Sequence, residues 1–166
     1  MPASSPQVVI RAAHFDDVAT IAQMNCLLAW ESEQLKLDLE TVRLGVATLV
    51  AEPPRGRYFV AVIHDQIVGQ ILHTFEWSDW RNGEYWWIQS VYVRAEFRQQ
   101  GIFRRLLEFV EAEARRNPLV VALRLYVAHE NEQAQETYRR LGLQSAGYEV
   151  FERTLRESST TEIPGA

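Results

Sequence analysis

The sequence predicts a mixed α/β (α+β) domain, and two observations support this prediction. Short runs of β-branched and aromatic residues alternate with longer segments in which apolar residues recur every three or four positions. Within residues 88–107, a strand also passes into a helix through a glycine-bearing loop. The predicted element order is βααβββαβαββ. We expect one domain over residues 8–155, with a loose lead-in over 1–7 and a flexible tail over 156–166.

The first third of the chain predicts a strand and two helices. Residues 8–11 begin with three β-branched side chains, which is typical of a short strand. A helix then starts at Asp16 or Asp17, because an acidic residue precedes apolar residues at helical spacing. A second helix is predicted over residues 38–51 and ends before a Pro-Pro pair.

The middle of the chain predicts three strands. Residues 58–63 and 67–75 are rich in β-branched and aromatic side chains, and the short polar link 64–66 joins them as a hairpin. Residues 79–83 form a further turn, after which residues 85–93 return as a strand.

The last third predicts two helices separated by a buried strand. The first helix starts at Ile102 or Phe103, and its apolar stripe consists of Phe103, Leu106, Leu107, Val110 and Ala114. Residues 123–127 form the strand, and residues 131–143 contain the second helix. Residues 144–153 are predicted to close the domain as a strand region.

Composition and charge argue against several classes of protein. A net charge of −5 and a pI near 5.4 give no indication of nucleic-acid or membrane-surface binding. No apolar stretch is long enough to cross a membrane and no basic leader precedes one, so a cytoplasmic location is expected. Cys26 is the only cysteine, which excludes an intrachain disulfide and is compatible with a reducing compartment. We predict no metal site.

Residues 98–101 have the pattern of an anion site. A strand, a glycine-bearing turn and a helix N-terminus together present backbone N–H groups at the positive end of a helix dipole, which suits a phosphate or pyrophosphate. Arg104 and Arg105 occupy the first helical turn, where the dipole disfavours a cation by about 0.3–1 kcal/mol, and an anion above the turn would remove this conflict. Alternatively, both arginines reach into solvent and Gly101 only permits a tight turn. This stretch alone does not decide between the two.

Two motifs stand in a defined order along the chain. RQQGIF follows the strand SVYV, and NEQAQETYRRLGL follows later. Together they resemble the GNAT superfamily of acetyl-CoA-dependent N-acetyltransferases, whose phosphate loop reads Arg/Gln-x-x-Gly-x-Gly/Ala and whose later helix carries Asn-x-x-Ala-x-x-x-Tyr before Leu-Gly-Phe. The resemblance covers residues 8–155. The matching residues are Arg98, Gly101, Asn131, Ala134, Tyr138, Leu141 and Gly142.

The resemblance implies a fold and a cofactor site. The fold is a single twisted mixed sheet flanked by helices, in which the parallel strands ending at Val93 and spanning 123–127 splay apart. The pantetheine arm of acetyl-CoA would enter that gap and bind the backbone of Val91 and Val93. Asn131 would cap its helix and also contact the arm. The pyrophosphate would be contacted mainly through the backbone of Arg98, Gln99, Gln100, Gly101, Ile102, Phe103 and Arg104.

Two residues depart from the family pattern. Phe103 stands where the family usually has Gly or Ala, so it either crowds the pyrophosphate or points into the core. The apolar stripe that it begins favours the core. Gln89 stands where several members have a Glu that acts as general base or orders a water. Because Gln cannot take a proton at neutral pH, that role is vacant or has moved.

The resemblance makes Tyr138 the predicted general acid. A phenol with a pKa near 10 stays protonated at pH 7, yet it can pass its proton to a leaving thiolate. The alternative is a tyrosine packed on the inner helix face with its hydroxyl bonded to backbone.

The reaction also needs a general base, because a primary amine is mostly protonated at pH 7. The sequence does not choose among the candidate bases, which are Glu31, Glu33, Glu76, Glu84 and His73.

Several of the five tryptophans lie near predicted element ends beside acidic residues. They could form an acidic aromatic pocket for a cationic amine. The residues proposed for this substrate pocket are Trp30, Glu31, Glu33, Glu76 and Trp77.

These features together predict an enzyme that moves the acetyl group of acetyl-CoA to a primary amine of a small molecule or peptide, by direct attack in a ternary complex. The alternative is a CoA-binding regulatory or interaction module with weak or no transferase activity, which Gln89 and Phe103 keep open. A homodimer is compatible with the resemblance, because family members often pair through sheet edges or helices. The identity of the amine is not encoded in a recognisable motif.

Overall fold

The computed structural model describes residues 7–155 and 161–162. The main helices are α1 (Val18–Glu33), α2 (Leu39–Ala51), α3 (Ile102–Arg116) and α4 (Glu132–Arg140). The strands are β1 (Val9–Ala12), β2 (Leu35–Lys36), β3 (Gly56–Ile63), β4 (Gln66–Ser78), β5 (Gly83–Val93), β6 (Val120–Leu125) and β7 (Thr161–Glu162). The predicted lead-in, apart from Gln7, and the predicted tail, apart from β7, lie outside the described residues.

Five strands form one mixed sheet in the order β1-β3-β4-β5-β6, while β2 and β7 form a separate antiparallel pair. The first four strands of the sheet are antiparallel, and β6 lies parallel to β5. The predicted hairpin between β3 and β4 is confirmed. His64 and Asp65 have φ values of 46° and 61°, as a two-residue type I′ turn requires.

Helices cover both faces of this sheet. The buried residues Leu106 and Val110 of α3 pack with Ile71 and Trp86 on one face. On the other face, α1 and α2 pack against Leu72 and its neighbours on β3. Successive residues of a strand point to opposite faces, so Ile71 and Leu72 belong to different layers. Among the described residues, no helix combines the length and apolarity needed to cross a membrane.

The splay between β5 and β6 is also confirmed. Their pairing ends at Ile88 and Leu125, whereas β5 continues to Val93. A shift in the β4–β5 register lies in the same part of β5, where Ser90 has a positive φ of 48°. A non-glycine residue in this conformation is strained and often marks a functional site. The continuation of β5 beyond β6 therefore combines an open side with a bulge.

Two predicted details were wrong. The buried strand spans Val120–Leu125 rather than 123–127. Residues 144–153 form no strand, because no described strand pairs with them. The predicted stripe of α3 faces the core: Phe103 is half-buried against the core cluster, and Ile102 is buried beside it. A strand forms only when another strand is available to hydrogen-bond with it, and the local sequence pattern does not indicate whether one is.

His73, one of the candidate bases, is enclosed by aromatic rings in the core. Its ring centroid lies 4.1 Å from that of Trp86 and 5.9 Å from that of Phe59. Neither ring nitrogen has a hydrogen-bond partner among the described residues. Burial, with the charge of Arg57 adding, lowers the pKa of His73 to about 4. The ring is therefore neutral near pH 7 and poorly placed to exchange protons.

This buried histidine predicts an acid-sensitive stability. Below about pH 6.5 the unfolded chain binds a proton on His73 that the folded chain excludes until about pH 4. The free energy of unfolding should therefore fall by about 2 kcal/mol between pH 7 and pH 5 through this residue. Urea unfolding at both pH values measures the change. His73→Phe cannot titrate, so an equal pH dependence in that variant would contradict the prediction.

Candidate active site

The loop between β5 and α3 gathers free backbone N–H groups. Gln99 and Gly101 have positive φ values of 62° and 76°, and Gly101 is the N-cap of α3. The first helical hydrogen bond runs from the Arg105 N–H to the Gly101 carbonyl at 3.1 Å. The N–H groups of residues 102–104 therefore lack an intrahelical acceptor and lie at the positive end of the α3 dipole. This arrangement suits a pyrophosphate.

Arg98 anchors this loop to α1 and to β5. Its guanidinium contacts the Glu31 carboxylate at 2.5 Å and donates from Nε to the Val93 carbonyl at 2.9 Å. The Tyr92 hydroxyl also donates to Glu31, at 2.7 Å. Partial burial acts to raise the pKa of Glu31, but the hydrogen bonds from Tyr92 and Arg98 outweigh it and hold this pKa below its usual range. The Arg98 side chain thus fixes the loop and leaves anion contact to the backbone.

A cavity of about 320 Å³ lies beside the loop, between the open side of β5 and the helices α3 and α4. We call it the α3–α4 cavity. It brings together four of the predicted site residues, which are Val91, Phe103, Asn131 and Tyr138. The Phe103 and Tyr138 rings meet edge to face with centroids 5.9 Å apart. Phe103 therefore lines the cavity and also packs against the core cluster, as its place on the apolar stripe predicted.

Asn131 and Tyr138 are both presented by α4. The Asn131 side chain accepts a hydrogen bond from the Ala134 N–H at 3.0 Å, which confirms its predicted role as N-cap. Tyr138 lies two turns further along and is half-buried. Burial raises the pKa of Tyr138, so its hydroxyl keeps its proton throughout the neutral range.

A second cavity, of about 380 Å³, lies on the other side of the β5 bulge. We call it the α1–α2 cavity. Its walls are one side of residues 25–33 of α1 and of residues 42–49 of α2, and its floor is formed by Tyr58, Leu72 and Ser90. Ser90 lines this cavity and the next residue, Val91, lines the α3–α4 cavity. The two cavities therefore approach each other at the bulge.

A hydrogen-bond network holds the bulge in place. The Gln70 side-chain N–H₂ donates to the Asn25 side chain at 2.6 Å and to the Ser90 carbonyl at 3.3 Å. Asn25 in turn donates to the Tyr58 hydroxyl at 2.9 Å. Gln70 is fully buried, so losing a partner there would be costly. The network ties α1 to three neighbouring strands and fixes the Ser90 conformation.

The predicted acidic aromatic pocket is not assembled at one place. Glu31 binds Tyr92, whereas Glu76 pairs across the ladder with Tyr85. These two tyrosines are seven positions apart on β5, which corresponds to roughly 20 Å. Glu76 also accepts a hydrogen bond from Trp87, while Trp30 and Trp77 are exposed.

Comparison with known proteins identifies the family. The model of the Acetyltransferase (GNAT) family matches residues 16–143, which is most of the chain. The chain belongs to the GNAT acetyltransferase family. It is accordingly an acyltransferase, and its open mixed sheet flanked by helices is the fold of that family.

Individual relatives agree with this assignment. A thialysine N-ε-acetyltransferase from Bos taurus is 32% identical over 148 residues, covering 82% of this chain and 84% of that protein. The crystal structure of a possible acetyltransferase from Clostridium difficile 630 has a TM-score of 0.85 and 40% identity, covering 90% of this chain and 99% of that one. An aminoglycoside N-acetyltransferase in complex with CoA has a TM-score of 0.77 at 15% identity, over 94% and 100% of the two chains, and shows the fold alone.

In this GNAT domain, Glu33 is the only candidate base that lines either of the two cavities described above. Glu33 lies on the wall of the α1–α2 cavity. Glu31 is engaged by Arg98, Glu84 accepts a hydrogen bond from Trp86 at 3.1 Å, and His73 is in the core. Gln89 donates to the Thr74 hydroxyl at 2.7 Å.

Sequence reasoning missed the residues that shape the bulge of this GNAT domain. They are Asn25, Tyr58, Gln70 and Ser90. The available signal was Gln70, a polar residue within the otherwise apolar run 67–72, because a buried amide must find partners. No local pattern marks Ser90, whose conformation depends on the pairing register of two strands.

Proposed function

We propose that this GNAT domain transfers the acetyl group of acetyl-CoA to a primary amine of a small molecule or peptide, by direct attack in a ternary complex. The observation that supports this most strongly is the approach of two separate cavities at the β5 bulge, through Ser90 and Val91. One cavity adjoins the anion-binding loop, and the other has no part in that loop. Two reactants can therefore be bound at once and meet at the bulge.

The cofactor would lie in the α3–α4 cavity and over the adjoining loop. The backbone of Val91 and Val93 is free of β6 and can bond the pantetheine amides, and Asn131 adds a contact to the arm. The N–H groups of the loop and of the first turn of α3 would bind the pyrophosphate. This assigns phosphate binding to the backbone of Gln99, Gln100, Gly101, Ile102, Phe103 and Arg104. The Arg98 N–H already donates to the Ala95 carbonyl at 3.2 Å, so Arg98 holds the loop in place.

Acetyl-CoA supplies the thioester, and the chain orients it and moves protons. The amine nitrogen forms a bond to the carbonyl carbon while the carbon–sulfur bond breaks, and Tyr138 gives its phenolic proton to the leaving sulfur. A backbone N–H of the unpaired stretch of β5 would stabilise the negative charge on the carbonyl oxygen. The ammonium first gives one proton to water, from which it can pass to Glu33, so that the nitrogen lone pair can attack. The nitrogen gives a second proton to water as the amide forms, and Tyr138 regains a proton from solvent. The products are an amide and CoA.

Similar proteins support both reactants. The Bos taurus relative acts, by its name, on the ε-nitrogen of thialysine, and the aminoglycoside acetyltransferase of the same fold binds CoA. These activities belong to those proteins, and for this chain they support a small primary amine as acceptor and CoA as cofactor.

The second candidate function is a CoA-binding module with little transferase activity. Phe103 favours it, because its ring occupies part of the cavity in which the pantetheine arm would lie.

Amine-dependent release of CoA tests the proposal. The purified protein is mixed with acetyl-CoA and a panel of primary amines, free thiol is followed, and the N-acetylated product is identified by mass spectrometry. The control is a tertiary amine with the same carbon chain as the primary amine, because a tertiary amine cannot form a stable amide. Thiol release with primary amines alone is expected. Saturable acetyl-CoA binding without turnover of any amine would favour the CoA-binding module, and absence of binding would overturn both.

A further inference from the structure

The packing of the fold does not require a glycine at position 45. Gly45 lies in the interior of α2, where glycine weakens a helix by about 1 kcal/mol relative to alanine. A Cβ built on Gly45 meets no other described atom within 4 Å. By contrast, a Cβ on Gly56 would lie 2.8 Å from the His73 carbonyl, so that glycine is needed for packing. Gly45 is exposed, so the absence of a side chain leaves open space on the cavity side of α2 that no other described residue fills.

That space belongs to the α1–α2 cavity, which Gly45 lines. The cavity walls are apolar and are formed by Leu28, Ala29, Val42, Gly45, Val46 and Leu49. Polar groups are confined to the floor, at Asn25, Tyr58 and Ser90, and to the exposed Ser32 and Glu33. Glu33 carries the only charge among the described lining residues. Such walls favour an apolar body, and a single carboxylate favours a cation over an anion.

We infer that the acceptor is a primary amine carried on an apolar stem, that the stem occupies the α1–α2 cavity, and that Gly45 keeps room for it. This inference rests on the proposed transferase function and specifies its substrate class. The amino group would lie at the floor beside Ser90, where the cavity approaches Val91 and the α3–α4 cavity. Gly45 is then a specificity-determining position some distance from the reacting atoms.

An apolar acceptor site also assists the reaction. A low-dielectric environment disfavours the ammonium form, so it lowers the pKa of the bound amine and raises the neutral fraction that can attack the thioester. The proton leaves to water before the nitrogen–carbon bond forms, because Glu33 lies at the exposed end of the cavity. The site thus lessens the need for a strong base in the position of Gln89.

The test compares amines of increasing stem length in three proteins: the wild type, Gly45→Leu, and the control Thr48→Leu. Thr48 is exposed on the same helix and does not line the cavity, so its replacement adds similar bulk elsewhere. In the wild type, kcat/KM should rise about fourfold per methylene from ethylamine to hexylamine. Gly45→Leu should lower kcat/KM for hexylamine at least about tenfold and for ethylamine only slightly. Thr48→Leu should match the wild type, and acetyl-CoA affinity should be unchanged in all three.

A second measurement separates this inference from the proposed function. Calorimetry with hexylamine and the CoA-loaded protein reports binding without turnover, and Gly45→Ala, which favours the helix, is the folded reference. Hexylamine binding that Gly45→Leu abolishes supports the apolar acceptor site even if no amine is acetylated, in which case the transferase proposal fails alone. Acetylation without preference for longer stems, or equal behaviour of Gly45→Leu and Thr48→Leu, overturns the inference and leaves the transferase proposal standing.

Discussion

Tyr138→Phe should lower kcat by about 100-fold or more while the dissociation constant for acetyl-CoA stays within about twofold. Among the described residues, two hydroxyls line the α3–α4 cavity: that of Thr137 donates to the Gln133 carbonyl at 2.9 Å, and that of Tyr138 has a raised pKa that keeps it protonated at working pH. Phenylalanine preserves the edge-to-face contact with Phe103 and removes only the proton donor. Steady-state kinetics with the best amine measures kcat, and calorimetric titration with acetyl-CoA measures the dissociation constant.

Tyr126→Phe is the matched control for this prediction. Tyr126 is 58% exposed and stacks on Trp87 with centroids 4.3 Å apart, outside the cavity, so the same chemical change there should leave kcat unaltered. Equal rates for wild type and Tyr138→Phe would assign Tyr138 a packing role. A parallel loss of kcat and of acetyl-CoA affinity would instead mean that the hydroxyl supports the cofactor site.

The parts of this site that the sequence predicted are local in the chain. The start of α3, the turn at Gly101 and the capping of α4 by Asn131 each depend on residues within one or two helical turns. Their spacing alone therefore located the loop and one helix of the α3–α4 cavity. The sequence treated the core and the cofactor site as alternatives for Phe103, but its half-buried ring contacts both, which only the packed structure reveals.

The parts that could not be predicted depend on contacts between distant segments. The α1–α2 cavity is formed by residues from two helices and from β3, β4 and β5, and the Ser90 bulge requires a register shift between β4 and β5. Neither has a local pattern. Residues 144–153 show the opposite error, because their composition favours a strand but no described strand edge receives them.

Gly101→Val should weaken acetyl-CoA binding by at least about tenfold. A Cβ on Gly101 meets no described atom within 4 Å, so the substitution causes no clash and acts through the backbone alone. At a φ of 76° a β-branched residue is strained by about 1–2 kcal/mol or more, and the loop relieves this by changing conformation. The N–H groups of residues 102–104 then no longer converge. Losing one or two charge-assisted hydrogen bonds accounts for the expected weakening, which calorimetric titration measures.

Gly147→Val is the control that separates a change in the conformation of the loop at Gly101 from a general effect of backbone strain. Gly147 has a φ of 74°, and a Cβ there also meets no described atom within 4 Å, so the same substitution imposes a similar backbone cost. Gly147 lies outside both cavities, and its variant should bind acetyl-CoA as the wild type does. Asparagine tolerates the left-handed conformation, so Gly101→Asn should retain most of the affinity. If Gly101→Val bound acetyl-CoA normally, the glycine would only permit a turn, and the pyrophosphate would have to be held elsewhere.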